Sequence, residues 1–265
     1  MKKISVSILA SKNVVRDIKR IDLSKADYIH VDVADGKFVK NKFQPFKIFN
    51  KLVGETHKRL DVHLMEKKPK KNINKYAMLN TEYITIHVEI EKLEKYIAMI
   101  KEYGIKVGLA INPNTDESML EPYLNDIDLI LVMGVYPGLG GQTFLEDTDK
   151  KVLKIKNMIV KSKRDIKITV DGGVNDETAK RLDFADILVS GSYVLGAEDI
   201  DERIETLRKN ADKLKTTKRT ERREMKEANE EKKLKRAKPK EDIEKTIEVK
   251  KVRKTTRTAK NESKK

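Results

Sequence analysis

Eight short runs of aliphatic and β-branched residues punctuate the chain, and between them lie stretches in which apolar residues recur at three- and four-residue spacing. The runs are Ile4–Leu9, Tyr28–Val33, Arg59–Leu64, Tyr83–Val88, Lys106–Ile111, Leu129–Met133, Ile166–Val170 and Ile187–Ser190, each of strand length. The intervening pattern predicts helices, for example over Val14–Ile21, Ile90–Tyr103 and Leu145–Val160. Gly104 stops one of them just before the run at Lys106, and Thr115-Asp116 and Asn175-Asp176 offer N-caps after strand ends. Strands alternating with helices imply parallel pairing, and eight is the number that closes a barrel. The fold class expected is therefore α/β, a TIM-type (β/α)8 barrel. An open doubly wound sheet is the competing architecture, but no Gly-x-Gly-x-x-Gly follows the first run.

Within this pattern one stretch stands out, Tyr28-Ile29-His30-Val31-Asp32-Val33-Ala34-Asp35-Gly36. A strand alternates its faces, so His30 and Asp32 project together while Ile29, Val31 and Val33 bury on the other side. The run through Asp61-Val62-His63-Leu64-Met65 ends in a histidine, and Thr169-Val170-Asp171-Gly172-Gly173 ends in an aspartate. Each alone reads more readily as a satisfied polar residue near a barrel mouth. Together, two imidazoles and two carboxylates at separate strand ends make a nitrogen and oxygen set suited to Zn²⁺, Fe²⁺ or Mn²⁺.

A second pole is glycine-rich. Gly134, Gly138, Gly140 and Gly141 follow the sixth run, Gly172 and Gly173 the seventh, and Gly191 with Ser192 the eighth. Barrels commonly hold phosphate on the loops after these strands, where glycine lets backbone N–H groups approach an anion. A sugar phosphate would span the two poles. With no lysine or cysteine at a strand end to act as a nucleophile, the chemistry suggested is proton movement beside a carbonyl, with a metal stabilising enediolate oxygens.

Charge changes the picture of the domain. The chain has 265 residues, a formal charge of +15 and no cysteine, which excludes a disulfide framework and thiolate catalysis. Residues 213–265 carry 22 Lys and Arg against 10 Asp and Glu, so only +3 remains for everything before them. That segment lacks aromatics and has few aliphatics, a composition that predicts disorder or a partial helix, with Glu and Lys at helical spacing over Glu221–Arg236. The division expected is a barrel over 1–212 and a basic extension over 213–265, the boundary falling near Ala211. Such a segment could attract RNA, DNA or an anionic membrane by counterion release, or be a solvated extension; without aromatics, base stacking is not supported. The first apolar run ends at once in Ser11-Lys12-Asn13, too short for a signal peptide, and no later stretch approaches a membrane span, so a soluble, cytoplasmic protein is expected.

The residues resemble the ribulose-phosphate 3-epimerase family over nearly all of residues 2 to 208. The resemblance rests on Ser7-Ile8-Leu9, on Ala26 to Asp32 with Asp35-Gly36-Lys37-Phe38-Val39, and on Asp61 to Met65. It continues in Lys106 to Ala110, Pro137-Gly138 with Gly140-Gly141-Gln142, Val170 to Val174 and Val189 to Ser192. It implies that His30, Asp32, His63 and Asp171 bind one divalent metal ion (Zn, Fe, Mn or Co). Asp32 and Asp171 would also be the acid/base pair that moves the C3 proton between D-ribulose 5-phosphate and D-xylulose 5-phosphate. Ser7, His63, Met65, Met133, Gly138, Leu139, Gly140, Gly141, Gly172, Gly173, Gly191 and Ser192 would contact the sugar phosphate.

Departures from the family pattern are Ala34, where methionine is usual, Gly134 for Thr or Ser, Leu139 for Phe, and Val6 and Lys40 where proline is common. Ala34 removes a soft, polarizable contact. The nearest alternative is a sister epimerase acting on a hexulose 6-phosphate such as allulose 6-phosphate, with discrimination expected around Ala34, Leu139 and the loop after the second strand. The Asp-x-Lys-x-x-Asp signature of the related decarboxylases is absent from His30–Asp35. His87 is expected on the pocket wall outside the ligand set, His57 in a loop, and a homo-oligomer is left open.

Overall fold

The computed structural model describes residues 1–52 and 54–212. The basic segment 213–265, with its expected disorder or partial helix and its anion-binding role, lies outside the described residues.

Among the described residues nine strands form, in chain order β1 (Lys3–Ser7), β2 (Tyr28–Asp35), β3 (Lys42–Phe43), β4 (Arg59–Met65), β5 (Thr81–His87), β6 (Lys106–Ile111), β7 (Leu129–Met133), β8 (Lys167–Asp171) and β9 (Ile187–Ser190). Eight of them pair in parallel in the order β1-β9-β8-β7-β6-β5-β4-β2, and β1 also pairs with β2. That second pairing closes the sheet. The structure is thus the predicted eight-stranded parallel barrel, with β3 pairing antiparallel to the end of β2 as a short appendage.

Closure sorts the side chains into two cores. Outward residues such as Val6, Ile29, Val31, Val62, Ile84, Leu109, Ile130, Ile168 and Leu188 pack under the helices and dominate the larger cluster. Inward residues form a smaller one, with Tyr28, Tyr83, Ala110, Leu129, Leu131 and Ile187 filling the lower barrel. Tyr28 and Tyr83 meet edge to face at 5.9 Å, and Lys3 Nζ donates to the Tyr28 hydroxyl at 2.6 Å. The barrel base is therefore sealed, and the polar inward residues sit at the other end.

The helices that cover the barrel are α1 (Val14–Leu23), α2 (Phe46–Lys51), α3 (Lys70–Ala77), α4 (Leu93–Glu102), α5 (Thr148–Ser162), α6 (Asp176–Ala179) and α7 (Ser192–Leu195). A 3₁₀ helix spans Glu117–Tyr123, and residues 200–212 are helical. Boundaries differ from the sequence pattern where a local bond intervenes. β1 stops at Ser7 because its hydroxyl accepts the Leu9 N–H at 3.2 Å and turns the chain. α4 begins only at Leu93, after Lys92 in a left-handed conformation at φ 60°. β2 runs on to Asp35 because β3 supplies it with a second partner.

Candidate active site

Register brings the inward residues of neighbouring strands side by side. His30 pairs with Asp61, Asp32 with His63, and Ser7 with His30 across β1, β2 and β4, while Asp171 ends β8 beside Met133 of β7. His30 Nε2 lies 3.4 Å from Asp32 Oδ1 and 3.6 Å from Asp171 Oδ2. His63 Nδ1 lies 3.2 Å from Asp32 Oδ1 and 3.6 Å from Asp171 Oδ2. One ligand atom from each of the four residues falls within 4.8 Å of the other three. The structure thus gathers His30, Asp32, His63 and Asp171 at one point. Asp171, its side chain 14% exposed, is the most accessible of the four.

Electrostatics explain what this point would hold. Burial alone would lower His30, but the carboxylates of Asp32 and Asp61 outweigh it and hold the imidazole well above its ordinary value. Burial likewise opposes protonation of His63, and hydrogen bonds and charge from Asp171 and Asp32 reverse the sign. Asp32, despite a burial penalty that would raise it, is held far below the usual carboxylate range by His30 and His63. For Asp171, burial and the Asp32 charge push upward, and the two imidazoles bring it down. The cluster therefore calls for positive charge between its carboxylates. His30 Nε2 is buried without any hydrogen-bond partner and faces Asp32 and Asp171. Two imidazole nitrogens and two carboxylate oxygens are a donor set that suits a divalent ion, and the residues present fit one.

Other side chains hold these four in place. The Ser7 hydroxyl donates to Asp32 Oδ2 at 2.8 Å, leaving Oδ1 toward the imidazoles. The Ser5 hydroxyl donates to Asp61 Oδ2 at 2.8 Å, and the same oxygen accepts from His30 Nδ1 at 2.9 Å. A carboxylate behind an imidazole fixes its tautomer and orientation. Asp61 was not singled out in the sequence, although Asp61-x-His63 and Ser5-x-Ser7 show the same two-residue spacing as His30-x-Asp32.

Above the centre opens a cavity of about 650 Å³ lined by Ser7, Asp32, Met65, Met133, Gly138, Leu139, Gly140, Gly141, Asp171, Gly172, Gly173, Gly191 and Ser192. These include every substrate-contact residue expected from the sequence except His63, which is not on the wall. His87, expected on the wall, is fully buried beside His63 instead. His57, its side chain 88% exposed, lies in a loop bonded to Asp22. Ala34 also stands off the wall, packed with Val39 and Met65 under Phe38 and Phe43. Arg181 lines the cavity with its guanidinium tied to Asp149 at 2.9 Å, a placement no sequence signal indicated. Gly134 has a steric cause: a Cβ there would come within 2.5 Å of the Gly172 carbonyl and 3.0 Å of the Phe144 ring.

A closed parallel barrel whose open end carries two carboxylates and two imidazoles beneath a glycine-lined cavity defines the class, a (β/α)8-barrel enzyme. The model of the ribulose-phosphate 3 epimerase family matches residues 3–195, and the chain belongs to that family. The ribulose-phosphate 3-epimerase of Bacillus subtilis (strain 168) is 38% identical, over 78% of this chain and 99% of that one. That of Methanocaldococcus jannaschii is 37% identical, over 80% and 92%, and the chloroplastic ribulose-5-phosphate-3-epimerase of Arabidopsis thaliana 34%, over 77% and 75%. The chain is accordingly an epimerase. Among solved structures, KGPDC from Streptococcus mutans superimposes with a TM-score of 0.58 at 12% identity, over 80% of this chain and 97% of that one, a likeness of fold alone. Among the described residues no helix is long and apolar enough to cross a membrane.

Proposed function

We propose that the chain interconverts D-ribulose 5-phosphate and D-xylulose 5-phosphate by moving the C3 proton, with Asp32 and Asp171 as the acid/base pair. The observation that carries this reading is the meeting of those two carboxyls from β2 and β8 on the floor of one cavity. In the closed barrel β1 and β9 lie between their strands, which supports the reading that the carboxyls would face a bound sugar from different sides. One takes the proton from C3 and the other returns one to the far face, which inverts the centre. That requires one carboxyl protonated while its partner is ionised, and Asp171, which feels the Asp32 charge and is reached from the cavity, is the easier to protonate.

His30, Asp32, His63 and Asp171 would hold one divalent ion, Zn, Fe, Mn or Co. Bound there, it would supply the positive charge that steadies charge developing on the substrate oxygens. Ser7 keeps one Asp32 oxygen occupied, so the other is directed to the centre. Met65 and Met133 give the reacting carbons an apolar wall, and the glycine loops after β7, β8 and β9 receive the phosphate through backbone N–H groups.

Proton NMR of D-ribulose 5-phosphate in D₂O with the full chain and added Mn²⁺ or Zn²⁺ tests the proposal. Deuterium should enter C3 as xylulose 5-phosphate forms, and both should stop on chelation. Exchange with allulose 6-phosphate but not with the pentulose would move the substrate assignment to a hexulose phosphate, and no exchange with either would overturn the reaction.

A further inference from the structure

His63 turns one ring nitrogen to the four-donor centre, and behind its other nitrogen stands a second imidazole. His63 Nε2 lies 2.9 Å from His87 Nε2, and both rings are fully buried. Two nitrogens at that distance hold one proton between them, so one donates and the other accepts. The direction is set at the far side of His87, where Nδ1 lies 3.1 Å from Glu89 Oε2. A carboxylate only accepts, so His87 carries its proton on Nδ1 and offers the Nε2 lone pair. His63 must then donate from Nε2, which leaves Nδ1 as its nitrogen for the centre.

Glu89 cannot turn away from this task. Its Oε1 accepts the Asn112 backbone N–H at 2.8 Å and the Thr115 hydroxyl at 2.7 Å. Phe38 covers His87 with ring centroids 4.5 Å apart. On the adjacent strand β2, His30 is oriented the other way round, with Nδ1 on Asp61 and Nε2 toward the centre.

We propose that Glu89 and His87 are positioning residues that fix the proton on Nε2 of His63, so that the two imidazoles present opposite nitrogens, Nδ1 from His63 and Nε2 from His30. The inference rests on the reading of the four residues as a divalent-ion site. A buried pair that served packing alone would have no need of an anchored carboxylate at its end. Here each donor has one acceptor from Glu89 through to the centre.

The full chain, labelled with ¹⁵N-histidine and loaded with Zn²⁺, shows only four imidazoles in a two-bond ¹⁵N–¹H spectrum. The expected pattern is a protonated Nδ1 and bare Nε2 in His87, a protonated Nε2 and zinc-shifted Nδ1 in His63, and the reverse in His30. A proton on Nε2 of His87, or zinc on Nε2 of His63, overturns the inference. Zinc binding through the wrong nitrogens would strike this inference alone, whereas a wild type that takes up no zinc would strike the ion-site reading first and this one with it.

Glu89→Gln supplies a second readout. The Asn112 N–H still needs an oxygen, so the amide NH₂ must face His87 and reverse the whole chain of donors, placing a proton on the His63 nitrogen that faces the centre. Zinc affinity, read by competition with a chromophoric chelator, should fall about 10- to 100-fold, with the near-UV circular dichroism unchanged. Wild-type affinity with wild-type tautomers in this variant overturns the positioning role; should the variant not fold, the wild-type spectrum decides alone.

Discussion

Asp171 is the most accessible member of the buried centre, at the end of β8 and on the cavity wall. Its nearest polar neighbours are the two imidazoles, each 3.6 Å away, and asparagine keeps its shape beside them, so Asp171→Asn changes protonation and charge with little change of shape. Loss of a general acid/base group of this kind costs about 10²- to 10⁴-fold in rate. C3 exchange in D₂O should therefore fall by about 10³-fold, with the near-UV circular dichroism retained, and near-normal exchange would refute the assignment. At this scale the sequence was partly readable. Two-residue spacing within a run put His30 with Asp32, and strand ends supplied His63 and Asp171. What spacing could not show was which residues of different strands stand behind them. Asp61, His87 and Glu89 gain their places from register across β2, β4 and β5, and Arg181 from a loop fold, neither of which leaves a periodic mark.

The element that joins the centre to the glycine pole is α6, four residues long and entered through a capping box. The Asn175 side chain accepts the Glu177 and Thr178 N–H groups at 3.0 Å, and the Thr178 hydroxyl accepts the Asn175 N–H at 2.9 Å. The same hydroxyl donates to the Gly173 carbonyl at 3.1 Å, so the cap also fixes the loop that carries Gly172 and Gly173. Asn175→Ala should cost about 1 kcal/mol, which lowers the melting midpoint by about 2–4 °C in a domain of this size. Because the loop loosens with the helix, KM for the sugar phosphate should rise more than kcat falls; a stable variant with unchanged KM would separate the cap from the pocket. Asn175 as a cap was legible, as were the eight barrel strands, because turn chemistry and apolar runs are local. β3 and α2 were not, being a two-residue pairing and a single turn and a half, each too short for a period to appear. α3 was hidden by its composition, since five of its eight residues are Lys or Asn and its buried face is only Asn72, Ile73 and Tyr76.

For the whole molecule the charge division decides what can be removed. The four-donor centre, the cavity and both apolar cores lie within residues 1–212, which carry +3 of the total +15, and 213–265 carry the remaining +12. We propose that residues 1–212 are the complete catalytic unit. The packing supports a cut at that point: Ile204, Leu207 and Ala211 are buried, and Arg208 donates to the carbonyls of Lys2 and Lys25 and pairs with Asp27 at 2.7 Å, so a cut before the helix at 200–212 would open the barrel base. A chain ending at residue 212 should keep the melting midpoint and the kcat of the full chain, whereas one ending at residue 199 should aggregate or melt early. A polyanion-binding role for the basic segment would show itself separately, as retention on immobilised nucleic acid at low salt. That retention should fall steeply and linearly in log–log form as salt rises, and it should vanish on truncation at 212 while turnover persists. Loss of turnover on that truncation would instead place part of the catalytic unit in the last 53 residues.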